Sequence, residues 1–214
     1  MPLDTFLSFF SICLLIAISP GPDNMFVLLQ TALYGHRVGF VIVLGLMSGI
    51  IFHTVLVTLG VAALLKTSEM AFLALRLIGA AYLLYLAYLT FKARPITLPA
   101  STLTPSSVAA ESPSMSSWQY YRRGIFMNIT NPKVSLFFLA FFPQFIYSTD
   151  IPVSQQMLSL SGIFVLATFV VFNSVVLFSG YFGQVLRQSP RAQIALNWIT
   201  IVVFCGLALR LLLG

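Results

Sequence analysis

The chain has 214 residues, of which 59% are hydrophobic and only 7% charged. Its mean hydropathy of +0.98 and its shortage of charge, against about a quarter charged residues in soluble domains, exclude water as its main solvent. The net charge of +6 comes from eleven basic residues scattered among apolar segments, and the absence of a basic stripe excludes a nucleic-acid partner.

The apolar runs show no strand-like alternation and exceed the ~20 residues of a membrane-crossing helix, which rejects a transmembrane barrel. Breaks at charged or Pro/Gly/Ser-rich spots predict six helices near residues 5–34, 38–65, 70–92, 119–147, 153–186 and 190–213. The first begins with a stretch, 6–18, that resembles the apolar region of a signal peptide. Asp4 replaces the basic region such a peptide needs and Pro20-Gly21-Pro22 is a poor cleavage site, so the stretch is read as a retained helix.

That first segment is interrupted at Ser19-Pro20-Gly21-Pro22-Asp23-Asn24. A proline inside a helix costs ~3 kcal/mol or more but is tolerated at the first position of a new one. Pro22 therefore predicts a second half-helix with Gly21 as its cap and Asp23 in its first turn, where the positive end of the helix dipole favours a carboxylate. The second segment contains His53 and a Gly45-xxx-Gly49 spacing that allows close helix approach. His53 reads as an interhelical hydrogen bond or a proton-coupling group. In the third, Tyr82, Tyr85 and Tyr88 form a stripe read as core, and Arg76 is expected to snorkel outward.

Residues 95–117 hold four prolines, seven serines and three threonines around the single charge Glu111, and predict a flexible linker. The chain thus divides into a three-helix repeat over 1–94, the linker over 95–117 and a second three-helix repeat over 118–214. Arg37, Lys92, Arg94, Arg122, Arg123, Arg187 and Arg191 fall on one side of the predicted spans, whereas the other side has Lys66 with Glu69, and Asp150. The basic excess marks the cytoplasmic side, which puts the linker in the cytoplasm and both termini outside.

The fourth segment breaks at Asn131-Pro132-Lys133. A shift of 110 residues superposes Pro22 on Pro132 and Asp23 on Lys133, which predicts inverted repeats with broken first helices. Lys133 opposes the dipole of its own half-helix, so it needs an anionic partner: Asp23, a substrate carboxylate, or each in turn. A lone charge at the bilayer centre costs ~2.5 to 3.5 kcal/mol. Asn128, Gln144 and Asn173 read as interhelical hydrogen bonds. Cys13 and Cys205 read as packing, with no disulfide, metal or cofactor encoded.

Paired broken helices in two halves point to a transporter's substrate site. Ser19, Pro20, Gly21, Pro22, Asp23, Asn24, Asn131, Pro132 and Lys133 are the candidate substrate-binding residues, with Asp23 and His53 as proton-coupling candidates. A non-transporting scaffold is the alternative. A thiol-redox carrier would need cysteines related by the repeat, and Cys13 shifted by 110 falls on Arg123. An enzyme is not expected, since no nucleophile-base pair appears.

At these residues the sequence resembles the lysine exporter family in its homoserine/threonine efflux branch (LysE/RhtB). The likeness runs through Ser19-Pro20-Gly21-Pro22, Gly35-His36-Arg37-Val38-Gly39, Leu77 to Leu86, Gly124 to Lys133 and Phe142-Pro143-Gln144-Phe145. It implies six transmembrane helices in the bacterial inner membrane and proton-coupled efflux of amino acids or close derivatives, with both breaks lining the central site. The substrate's identity does not carry over.

Overall fold

The structure is a computed structural model that describes residues 1–67, 69–93, 115–181 and 189–213. Arg94, Glu111, Arg187 and most of the 95–117 linker lie outside the described residues, as do the side chains of Lys66 and Glu69. Among the described residues every regular element is a helix.

Helix α1 (Leu3–Ile18) stops where Pro20 forces Ser19 out of the helical region, to ψ 121°. Helix α2 (Pro22–Tyr34) starts with Pro22 in its first turn behind an extended Gly21, and ends at Gly35, whose φ of 88° suits a glycine terminator. Helix α3 (His36–Thr67) follows at once, then α4 (Glu69–Lys92). Helix α5 (Ser117–Ile129) opens on a capping box in which Ser116 and Gln119 each accept from the other's backbone N–H. After Asn131 comes the short α6 (Pro132–Leu136), which runs into a π-helical turn over Phe137–Phe141 and a 3-10 turn over Phe142–Phe145. Helices α7 (Val153–Leu177) and α8 (Pro190–Leu213) complete the described chain.

Four stretches, His36–Gly60, Leu73–Lys92, Val153–Leu177 and Arg191–Leu213, are each long and apolar enough to cross a bilayer. The pairs Leu3–Ile18 with Pro22–Tyr34 and Ser117–Ile129 with Pro132–Phe145 also qualify, each bent at its break, by 61° and 48°. The described chain therefore has four to six candidate spans by length and composition, each within or overlapping a segment that the sequence predicts.

Helix α3 packs along α5, α4 along α8, and α7 against α1 and α3. The α3–α5 contact is close because Gly45 and Gly124 face each other: a Cβ on Gly45 would strike the Tyr121 carbonyl, and one on Gly124 the Ile42 carbonyl. Two apolar clusters result. The larger gathers the rings of Phe9, Phe137, Phe138, Phe142 and Phe164, with Phe138 and Phe142 stacked 4.0 Å apart; the smaller centres on Val27, Ile42, Leu46, Phe172 and Val176. Such aromatic stacks add ~0.5–1.5 kcal/mol per pair beyond the area they bury. The loop from Ile146 to Pro152 is pinned by the fully buried Gln156, which accepts from the Tyr147 and Ser148 amides and donates to the Ser148 and Ile151 carbonyls.

Four expectations are corrected here. Tyr85 and Tyr88 are exposed rather than core, each at 53%, because the stripe lies on the outer face of α4. Arg76 does not snorkel outward: its guanidinium donates to the Leu211 carbonyl at 2.7 and 2.9 Å, capping carbonyls that the last turn of α8 cannot satisfy itself. Gln144 and Asn173 bond one turn back, to Ala140 and Phe169, rather than to another helix, and at Asn128 the bond to another helix is made by the backbone carbonyl, with His53, while the side-chain Oδ1 has no partner among the described residues. Cys13 packs in the core as expected, whereas Cys205 is exposed.

Candidate functional site

The site begins with a problem of backbone accounting. A helix leaves its last four carbonyls without intrahelical partners, and inside an apolar bundle each must find a donor. At the end of α1, Leu15 is served by the Ser19 amide at 3.0 Å and Ala17 by the Asn24 side-chain amide at 2.8 Å. The carbonyls of Ile16 and Ser19 are served from the other break: Lys133 Nζ donates to them at 3.4 and 3.0 Å. Its third neighbour is Asp23 Oδ1, 3.6 Å away. The ammonium's three N–H groups thus face three oxygens, two of them at the negative end of the α1 dipole.

This answers why Lys133 tolerates the first turn of its own helix. The penalty there is up to ~1 kcal/mol, while charge-assisted hydrogen bonds of the kind it makes across the bundle contribute ~1.5–3 kcal/mol each. Asp23 lies in the first turn of α2, with the dipole in its favour. Both charges are buried, at 7% and 4% exposure, where an unpaired charge would be costly.

Asn131 caps α6 as expected, its Oδ1 accepting from the Lys133 amide at 3.0 Å, which fixes where the lysine side chain leaves the backbone. Gly21 leaves the pair room. A Cβ there would lie 2.5 Å from Asp23 Oδ1 and 3.0 Å from Lys133 Nζ. Ser19, Gly21, Asp23, Asn24, Asn131 and Lys133 are therefore brought together, and Pro20, Pro22 and Pro132 set the backbone around them. His53 is not part of that pair. It is buried and its Nε2 lies 3.1 Å from the Asn128 carbonyl, between α3 and α5.

Beside the pair is a cavity of about 10 Å³, room for about one water. It is lined by Asp23, Lys133, Asn128 and Thr168 among apolar groups from both core clusters, including Ile16, Val134, Leu46 and Phe172. Asp23 Oδ1, Asn128 Oδ1 and Thr168 Oγ1 are buried without a hydrogen-bond partner among the described residues. Thr168 escaped the sequence reading, because a single hydroxyl in an apolar span carries no signal of where it points. Among the described residues no cluster of three or more His, Cys, Asp or Glu could hold a metal ion.

The chain is 29% identical over 204 residues to the uncharacterized membrane protein YrhP of Bacillus subtilis, covering 95% of this chain and 96% of that one. It is 29% identical over 217 residues to an uncharacterized membrane protein of Vibrio cholerae, covering 99% and 98%, and 35% identical over 127 residues to one of Pseudomonas aeruginosa, covering 59% and 57%. No solved structure matches it. The family model described as LysE type translocator matches residues 14–214, and the chain accordingly belongs to that family of membrane transporters.

Proposed function

We propose that the protein is a secondary transporter that exports an amino acid or a close derivative across the bacterial inner membrane by proton antiport. The observation that carries this reading is the buried Lys133–Asp23 pair at the meeting of the two breaks. A zwitterionic substrate carries both charges needed to part it, its carboxylate facing Lys133 and its ammonium facing Asp23. Proton and ammonium then compete for one carboxylate, which is the exchange that antiport requires.

The two halves act as inverted repeats that rock against each other around this site, over 1–94 and 118–214, with the 95–117 linker on the cytoplasmic side and the termini outside. The matching bends at the start of each half and the uneven distribution of basic residues support that arrangement. His53, one hydrogen bond from Asn128, is a further proton-coupling candidate.

Counter-transport of labelled amino acids in proteoliposomes, with an imposed pH gradient, tests the proposal. The wild type should exchange at least one amino acid in a gradient-dependent way, and correctly inserted Asp23→Asn and Lys133→Met variants should not. A wild type that exchanges no amino acid tested would leave the scaffold reading in its place.

A further inference from the structure

The threonines of this bundle separate into two groups. Thr31, Thr54, Thr90, Thr130 and Thr200 each turn the hydroxyl back to the carbonyl four residues earlier, at 2.6 to 2.9 Å, the usual way to hide a hydroxyl in an apolar helix. Thr168 has the same option on α7 and does not take it: its Oγ1 is buried, unpartnered among the described residues, and Thr168 is one of the residues that line the cavity beside Asp23. Thr58 and Ser161, and at the two breaks Ser19 Oγ, Asn24 Oδ1 and Asn131 Nδ2, also lack partners among the described residues, but none of these five residues lines that cavity.

Asn128 tells the same story from α5. Its carbonyl is occupied by His53 and by the Asn131 amide, whereas its side-chain Oδ1 is buried without a partner. Gly49 keeps it there, since a Cβ at Gly49 would lie 2.6 Å from Asn128 Cβ and 2.8 Å from Oδ1. Two helices thus bring residues with unpartnered oxygens, Asn128 and Thr168, to the cavity that Asp23 also lines, where the carboxylate's Oδ1 has the Lys133 ammonium at 3.6 Å but no hydrogen bond, and each of the three residues is more than nine-tenths buried. A buried oxygen without a donor costs ~1–3 kcal/mol, so the arrangement calls for a visiting donor.

We infer that Asn128 and Thr168 are substrate-binding residues which, with Asp23, form an acceptor wall for a primary ammonium group. That group has three N–H donors and a positive charge, matching three acceptor oxygens of which one is a carboxylate. The inference rests on the exporter reading and names the end of the substrate that this wall would hold. In this structure the space fits about one water, so substrate enters only as the halves part.

The test measures counter-transport and thermal unfolding together, for the wild type, Thr168→Val, Thr168→Ser and Asn128→Leu, with methylammonium as a competing probe. Thr168→Val should raise KM for the exchanged amino acid about tenfold, the loss of one hydrogen bond to a charged group. Its unfolding temperature should hold or rise, because the lost hydroxyl had no partner within the protein. Thr168→Ser should restore KM, Asn128→Leu should raise it in the same way, and methylammonium should compete less well in Thr168→Val than in the wild type. A wild-type KM in Thr168→Val means that the oxygens enclose only a trapped water and overturns the inference while the exporter reading stands. A raised KM with a lowered unfolding temperature and no rescue by serine marks the hydroxyl as structural and overturns it as well. If the wild type exchanges no amino acid, the exporter reading falls, and protection from unfolding by methylammonium in the wild type but not in Thr168→Val still decides whether the wall binds an ammonium.

Discussion

The first break carries two prolines, Pro20 and Pro22, and turns its helix pair by 61°, whereas the second carries one, Pro132, and turns by 48°. In the first, the half-helix that ends leaves carbonyls to be satisfied, and the half-helix that begins carries an acid suited to its dipole. In the second, Asn131 caps the new half-helix and the following residue is a base unsuited to that dipole. The mismatch at the second break is relieved by the surplus at the first, because Lys133 reaches the Ile16 and Ser19 carbonyls. A charge that is unfavourable by its own helix is favourable by its neighbour's, so the two breaks are parts of one site.

The strongest way to break that dependence is to remove the lysine. Lys133→Met leaves Asp23 buried without a counter-charge and two carbonyls without a donor, and should cost about 3–5 kcal/mol in unfolding experiments in detergent. Asp23→Asn leaves the lysine its two carbonyls and should cost less. Because the partners touch, the double variant should lose less than the two single losses combined. An Asp23→Asn loss larger than that of Lys133→Met would show that the carboxylate, and not the end of α1, holds the cation.

How much of this could be read in advance follows from what a side chain announces. The breaks were legible because proline and charge stand out in apolar runs, and the Asn131 cap because its chemistry is local. The partners of Lys133 were legible only in part. A carboxylate has a letter in the sequence, but the carbonyls of Ile16 and Ser19 belong to every residue alike. Thr168 and Arg76 were illegible for a related reason: whether a hydroxyl turns back on its helix, or a guanidinium finds the last turn of α8, is settled by packing between distant segments. The tyrosine stripe of α4 misled because three-residue spacing defines a face and not what covers it.

Gly21 separates the geometry of the pair from its charges. Its backbone is extended, which any residue can adopt, so the only obstacle to Gly21→Ala is space: the new methyl would press on both Asp23 Oδ1 and Lys133 Nζ. A loss of about 1–3 kcal/mol is expected, as for overpacking elsewhere, together with loss of counter-transport. Gly60→Ala, with nothing within 4 Å of the added carbon, is the control and should be neutral or stabilising by up to ~1 kcal/mol. Equal effects at the two positions would deny Gly21 any part in the pair. At the second break, Asn131→Ala removes the acceptor of the Lys133 amide and should cost ~1 kcal/mol, with Asn131→Ser restoring most of it in the same unfolding assay.

The smallest effect should come from Pro20, for a reason that bears on what makes the first break. Ser19, Gly21 and Asn131 each precede a proline and each is extended, with ψ of 121°, 174° and 106°, as the steric demand of a following proline requires. The first break is therefore constrained twice and the second once. In Pro20→Ala, Pro22 still constrains Gly21, and the Ser19 carbonyl is still held by Lys133. The loss should stay within ~0.4–1 kcal/mol, arising mainly from the freer unfolded chain, and counter-transport should be retained. Pro132→Ala removes the sole proline of its break and should cost more than Pro20→Ala when the two are unfolded side by side. The reverse order, or a Pro20→Ala loss as large as that of Gly21→Ala, would mean that the first break relies on both prolines and that the lysine bond does not hold it.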